Sequence, residues 1–401
     1  MAILAGAGWL FIPSAVSLWR IRVPAFALLV TLGIAGLTAV PIAAETARHG
    51  LYAAVGGESL SIAPAATLVE VAKLAGLGCA FLCGLISGGA RGAPARISDA
   101  VIALTAAWAG WSLVVFVSSG SHARLGAPLL SPNTAATLLG VGLLVAMGRL
   151  LVSRDARLSK SHKRWELVWR ACAAVLIGAA LFLTQSRAGL AITLLSGIGL
   201  AASWLFTRRT GGRPRARHWL GLGGLALGLI LVVEAGRGVW ARLPGLSEAA
   251  ADRREIFGIY WRAFLDAPLF GGGLGSATYV TKLGMTSENY EALWNIQSAH
   301  NWALQWLAEG GLAVTAPMVL AVASILVIAF RGLDMRNAQV LLPLLFVDFL
   351  VLAHGLSDFA LQIPAFALYW SFLLGLQIAV SARRSPRRLR LHAVGSGEKW
   401  P

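Results

Sequence analysis

Charge is what this sequence has least of. Only 13% of its 401 residues are charged, against about a quarter in a soluble domain. Acids are the scarcer sign, with 18 Asp and Glu against 34 Lys and Arg. A chain this poor in charge and 57% hydrophobic belongs to the polytopic membrane class. Cysteine is nearly missing as well. Cys79, Cys83 and Cys172 all fall in apolar runs with no His or acid beside them. They read as small core hydrophobes, which excludes a disulfide framework and a zinc spacing. No Walker motif, dinucleotide fingerprint or nucleophile elbow occurs. The outer connections carry no Asp-x-Asp motif, so neither a cofactor nor a divalent cation is implied. The N-terminus lacks the positive region and the cleavage site of a signal peptide, and its first apolar run is expected to be a retained helix.

What the sequence has in quantity is long hydrophobic runs. They fall near 2–19, 23–44, 64–87, 97–118, 130–152, 168–184, 188–206, 218–235, 302–330, 337–354 and 361–381. Each is close to the roughly 20 residues a span requires. The expected fold is therefore an all-α, polytopic helical bundle of about 11–12 transmembrane helices. Every second connection is basic, from Arg20 and Arg22 to the tail from Arg383 to Arg390. By the positive-inside rule those connections are cytoplasmic, which accounts for the net charge of +16 without nucleic acid. Anionic membrane lipids are further partners for these basic runs. Three parts are expected: N-terminal helices over 1–235, a long loop on the outer face with short amphipathic helices over 236–301, and C-terminal helices with a basic tail over 302–401.

The outer connections hold the residues able to carry chemistry. Ser186-Arg187 stands at the mouth of a helix, where a guanidinium and the N-terminal N–H groups together suit a phosphate. An arginine anchored at lipid headgroups is the bland alternative. Arg253 and Arg254 begin an amphipathic run with Phe257, Trp261, Phe264 and Leu265. Asp252 fits an N-cap there, with Glu255 at the third helical position. Cations in a first turn oppose the helix dipole, which favours a bound anion; headgroup contact or pairing with Glu255 is the alternative. His300-Asn301 opens the next run, and a histidine there is suited to act as a general base or to be a hydrogen-bonded structural group. Glu309 lies inside the apolar run, as a functional carboxylate or a buried partner for an arginine. His354 and Asp358 are spaced to meet if helical. Gly271-Gly272-Gly273-Leu274-Gly275 offers backbone N–H groups to phosphate, or a tight re-entry turn after Pro268.

In order, these motifs resemble the O-antigen ligase and polymerase superfamily. Gln185 to Leu190 resembles its Ser-Arg-Ala/Gly motif. Arg253 to Gly275 resembles its Arg-x-x-x-aromatic and Asp-x-Pro-x-x-Gly-x-Gly segment, and Ala299 to Leu312 its Ala-His-Asn, Leu-Gln and Glu-x-Gly segment. Ser131 to Leu139 resembles a weaker Asn-containing motif, and His354 to Pro364 a late segment of many members. The resemblance covers roughly 127–376. It implies a bacterial inner-membrane transferase with a periplasmic active site, which makes the 236–301 loop periplasmic, and an undecaprenyl-pyrophosphate-linked glycan as donor. Carried over, Arg187 and Arg253 contact the pyrophosphate and His300 activates the acceptor hydroxyl. Ser186, Arg254, Asn301, His354 and Asp358 are expected to bind substrate. The acceptor is lipid A-core in a ligase, or a growing lipid-linked glycan in a polymerase. A Ser or Thr side chain is a third acceptor within the family. A lipid transporter is the reading from another class, but neither half-repeats nor helices interrupted at the bilayer midplane are read in the sequence to support it.

Overall fold

The computed structural model describes residues 18–41, 49–119, 124–126, 131–151, 160–210 and 246–382. Among these the chain is helical, without strands beyond one isolated bridge, Pro41 to Ser59. The long apolar helices are α1 (Arg22–Thr38), α2 (Pro64–Gly89), α3 (Ala93–Ser118), α4 (Pro132–Leu151), α5 (Lys160–Leu183) and α6 (Arg187–Thr210). After the loop helices α7 (Leu246–Asp266), α8 (Ala277–Leu283) and α9 (Tyr290–Leu293) come α10 (Trp302–Arg331), α11 (Ala338–His354) and α12 (Pro364–Ser381).

Seven described helices are long and apolar enough to cross a membrane, and α1 and α11 are shorter apolar helices of 17 residues. Together these nine match nine of the expected runs; the runs at 2–19 and 218–235 lie outside the described residues, as does the basic tail. The runs at 168–184 and 188–206 are two full helices, α5 and α6, of 24 residues each.

Burial sorts the helices. Every turn of α4, α11 and α12 carries buried residues, and these three form the centre. Lipid-facing helices expose large apolar side chains instead: Leu104, Trp111 and Val117 on α3, Leu194 and Ile198 on α6, Val319 and Leu320 on α10. The closest approach is between α2 and α12. There a Cβ at Gly84 would run into the Phe372 carbonyl, and one at Gly375 into the Phe81 carbonyl. Small residues at a crossing let two backbones pack closely where no hydrophobic effect separates protein from lipid. Cys172 is exposed on α5, and Cys79 and Cys83 are half-buried. The core reading of Cys172 is thus corrected: its side of α5 points away from the bundle.

The two ends of the bundle differ. At the end with the basic connections, Asp99 of α3 takes both Arg149 of α4 and Arg170 of α5 in two-pronged pairs of 2.9–3.1 Å. Glu166 joins Arg170 at 3.0 Å, and Arg20 reaches the Ser381 carbonyl of α12. At the opposite end, α10 is two helices in one. Gly311 interrupts it with φ 55° and ψ −166°, a conformation open to glycine alone. The 312–331 segment beyond the break is about 30 Å long at 1.5 Å per residue, the thickness of a bilayer core.

The break is held by the glycine run. Gly272 N–H donates to the Ala308 carbonyl and Gly273 N–H to the Glu309 carbonyl, while Leu312 and Ala313 N–H donate back to Pro268 and Leu269. The Glu309 carboxylate accepts Gly275 N–H at 2.9 Å, Ala277 N–H at 3.1 Å and Gln305 Nε2 at 3.0 Å. The arginine-partner reading of Glu309, and the phosphate reading of the glycines, are therefore corrected. The donors are spent inside the protein, because an interrupted helix leaves carbonyls that a neighbouring loop must satisfy.

Candidate active site

The site is assembled at the end opposite the basic connections, starting from the α5–α6 turn. Gln185 there has φ 51°, a left-handed conformation uncommon outside glycine. The reversal lets Ser186 cap α6: its Oγ accepts Gly189 N–H at 3.3 Å and its carbonyl accepts Leu190 N–H. Arg187 is then the first helical residue, at the positive end of α6 as the sequence implied. Ser186 is 2% exposed, so its hydroxyl serves the turn.

A second arginine meets this turn from the α3–α4 connection. Arg124 Nε donates to the Thr184 carbonyl at 3.0 Å and Nη2 to Asn133 Oδ1 at 2.9 Å. It is held there by its neighbour: Leu125 is buried and its N–H donates to the Leu183 carbonyl at 3.0 Å. Sequence reasoning missed Arg124. Its signal was position alone, an arginine in an outer connection of a chain whose arginines gather in the inner ones.

The first turns of α4 brace the far side. Thr134 Oγ1 donates to Asp358 Oδ2 at 3.2 Å, and Thr137 Oγ1 shares a 2.7 Å bond with His354 Nδ1. The Asn-containing motif therefore does structural work with three residues, Asn133, Thr134 and Thr137. His354 and Asp358 do not pair with each other, because α11 ends at His354. They are 1% and 0% exposed and hold the α11–α12 connection against α4. Burial raises Asp358 above the usual carboxylate range, offset in part by N–H and hydroxyl donors and by Arg253.

Helix α7 carries the arginine pair. It begins at Leu246, so Asp252 lies inside it and the arginines are not in its first turn. The capping pattern misled because Ser247-Glu248-Ala249-Ala250-Ala251 continues the helix upstream. The dipole argument for an anion falls with it. Ile256, Ile259, Tyr260 and Ala263 bury one face against Tyr52, Val280, Leu293 and Ala308. Trp261 and Leu265 remain exposed on another, as an interfacial helix requires. Glu255 bonds Asn289 at 3.1 Å and approaches Arg262. The charge of Arg253 bears on Arg124, His300 and Asp358.

His300 completes the cluster. It too has a positive φ, 51°, and strained non-glycine residues of this kind gather at functional sites. Asn301 caps α10 through a 3.1 Å bond from Leu304 N–H. Trp302 ties the helix start to α11, its N–H to the Gly355 carbonyl and its Nε1 to the Leu352 carbonyl, both 3.0 Å. The His300 ring stands edge-on to Phe359, 4.9 Å between centroids. Burial first, then Arg253, lowers His300 below the usual histidine value, so the imidazole is neutral at pH 7. A neutral imidazole beside arginines is equipped to accept a proton while the cations hold a phosphate.

Comparison with known proteins agrees with the motifs. Residues 172–319 match the family model described as O-Antigen ligase, which supports the O-antigen ligase and polymerase superfamily for this chain. The matched stretch runs from α5 into α10 and contains Arg187, Arg253 and His300. No curated protein matches the chain.

Proposed function

We propose that this O-antigen ligase-like membrane enzyme transfers an oligo- or polysaccharide from undecaprenyl pyrophosphate to an acceptor hydroxyl at the periplasmic face of the bacterial inner membrane. The acceptor in this reading is lipid A-core. Arg187 and Arg253 hold the donor pyrophosphate, with Ser186 capping the turn that presents Arg187 and with Arg254 and Asn301 beside it. The acceptor oxygen attacks the anomeric carbon and gives its proton to His300. The bond from that carbon to the phosphate oxygen breaks, and undecaprenyl pyrophosphate departs with the electron pair. Guanidinium groups stabilise the charge that grows on the leaving phosphate. A single displacement inverts the anomeric centre, and arginines take the charge-neutralising part that a metal plays elsewhere. The observation that carries the reading is a half-buried His300, held at φ 51° and edge-on to Phe359, under the charge of Arg253 in the loop cluster that also holds the Arg187 turn.

The test is transfer by purified, reconstituted protein in EDTA, supplied with undecaprenyl-pyrophosphate oligosaccharide with and without lipid A-core. New glycolipid only with lipid A-core supports the ligase. Chain lengthening without it makes the protein a polymerase of the same family. Donor lipid moved between leaflets with no product makes it a transporter. His300→Ala and Arg187→Ala should each abolish transfer while the protein still inserts, and full activity in either removes that residue from the mechanism.

A further inference from the structure

Arg124 stands outside the motifs that carry the family resemblance and outside the matched residues 172–319, yet its side chain lies over the Thr184–Arg187 turn. Its two bonds, at 3.0 and 2.9 Å, go to a backbone carbonyl and an amide oxygen. Both acceptors are neutral. They fix the guanidinium plane without cancelling its charge, as an ion pair with a carboxylate would. A clear contrast is Arg170, whose charge is met by Asp99 and Glu166 at the other end of the bundle.

Backbone geometry holds Arg124 in place. Leu125 is 1% exposed in a cluster with Ala136, Leu139, Ile177 and Leu181, and its N–H is bonded to the Leu183 carbonyl. Three residues after Arg124's acceptor Thr184 comes Arg187. The charges of Arg187 and Arg253 both bear on Arg124 and, after burial, lower its hold on its proton. Arg124 thus lies within reach of the Arg187 and Arg253 charges, and Asp358, an acid near them among the described residues, is buried and bonded to Thr134. A guanidinium fixed by two neutral acceptors, as Arg124 is, keeps its charge for an anion. A pyrophosphate, with two phosphates and several anionic oxygens, is an anion of suitable size and charge.

We propose that Arg124 is a third phosphate-binding cation of the donor site, locked by Thr184 and Asn133 so that its charge faces the pyrophosphate held by Arg187 and Arg253. This rests on the pyrophosphate-donor reading above. Arg124 would take one phosphate while the pair takes the other, which makes it a contributor to donor binding more than to proton transfer.

Inorganic pyrophosphate as a competitor of transfer by the reconstituted full chain tests this. In the wild type it should inhibit. Arg124→Gln keeps a donor for the Thr184 carbonyl, gives up the reach to Asn133 and removes the charge. It should require about 10- to 100-fold more pyrophosphate, with donor KM raised alike and kcat changed much less, the loss expected for one charge-assisted bond. Asn133→Asp is the companion variant. It leaves Arg124 in place and tightens its bond but offsets its charge, so it should weaken pyrophosphate inhibition in the same direction. A purely bracing Arg124 gives another pattern: Asn133→Asp then inhibits like wild type, and Arg124→Gln loses thermal stability with donor KM unchanged. Either of these results overturns the proposal. Active wild type that pyrophosphate does not inhibit overturns the donor reading itself, and the role of Arg124 with it.

Discussion

Replacing Glu309 with alanine removes one acceptor from three donors at once. Gly275 N–H, Ala277 N–H and Gln305 Nε2 all converge on its carboxylate at 2.9–3.1 Å, and Glu309 is 6% exposed. A buried donor left without an acceptor costs about 1–3 kcal/mol, so the three together cost about 3 kcal/mol or more even if water reaches one of them. Gln is milder. Its amide oxygen still accepts one or two N–H groups, but its own NH2 faces the remaining donor, a loss of about 1–3 kcal/mol. Thermal unfolding in nanodiscs should rank wild type above Glu309→Gln and Glu309→Ala lowest, with the alanine variant down by roughly 5 °C or more. Transfer activity at low temperature should fall in the same order, because the glycine run positions the end of α7 against α10. The reasoning fails if Glu309→Gln unfolds like wild type yet transfers no glycan. That pattern belongs to a carboxylate that moves protons or pairs with substrate, not to one that satisfies backbone.

Gly311→Ala should be worse than either: its φ of 55° with ψ −166° excludes a side chain, and a Cβ would press on the Leu269 backbone. We expect no monodisperse protein on size exclusion, and a well-folded variant refutes the broken-helix geometry. Arg253→Ala should lower transfer by about 100-fold or more, the scale of losing a charge-stabilising donor, whereas Arg254→Ala should stay within a few-fold of wild type. Equal losses in the two would place both guanidinium groups on the substrate. A general base acts unprotonated, and burial beside Arg253 lowers His300 below 6.5. The pH–rate profile should therefore be flat through pH 7 and fall only on the acid side of 6.5 as His300 takes up a proton. An acidic limb centred above pH 7 would remove His300 as the base.

What the sequence makes legible here is whatever a side chain announces near its own place in the chain. Alternating basic connections set the bundle's two ends, and the described helices honour them, with Asp99, Arg149 and Arg170 meeting at one end. Ser186-Arg187 announces a helix start, and the helix begins there. The failures come where the partner is backbone or is distant in sequence. Asp252 and Glu255 have the spacing of a capping box, but a local pattern cannot tell a first turn from a second when alanines precede it. Glu309 looked like a charge in search of a cation. Its partners are N–H groups of a glycine run, which have no side chains to mark them. Arg124 meets Thr184 across 60 residues, and nothing in either segment points to the other. Thr134 and Thr137 reach across more than 200 residues to Asp358 and His354. The chemistry-bearing groups were therefore readable one at a time. Their arrangement was not, because it depends on α4 lying buried at the centre of the bundle, with its first turns facing both the α5–α6 turn and the end of α11.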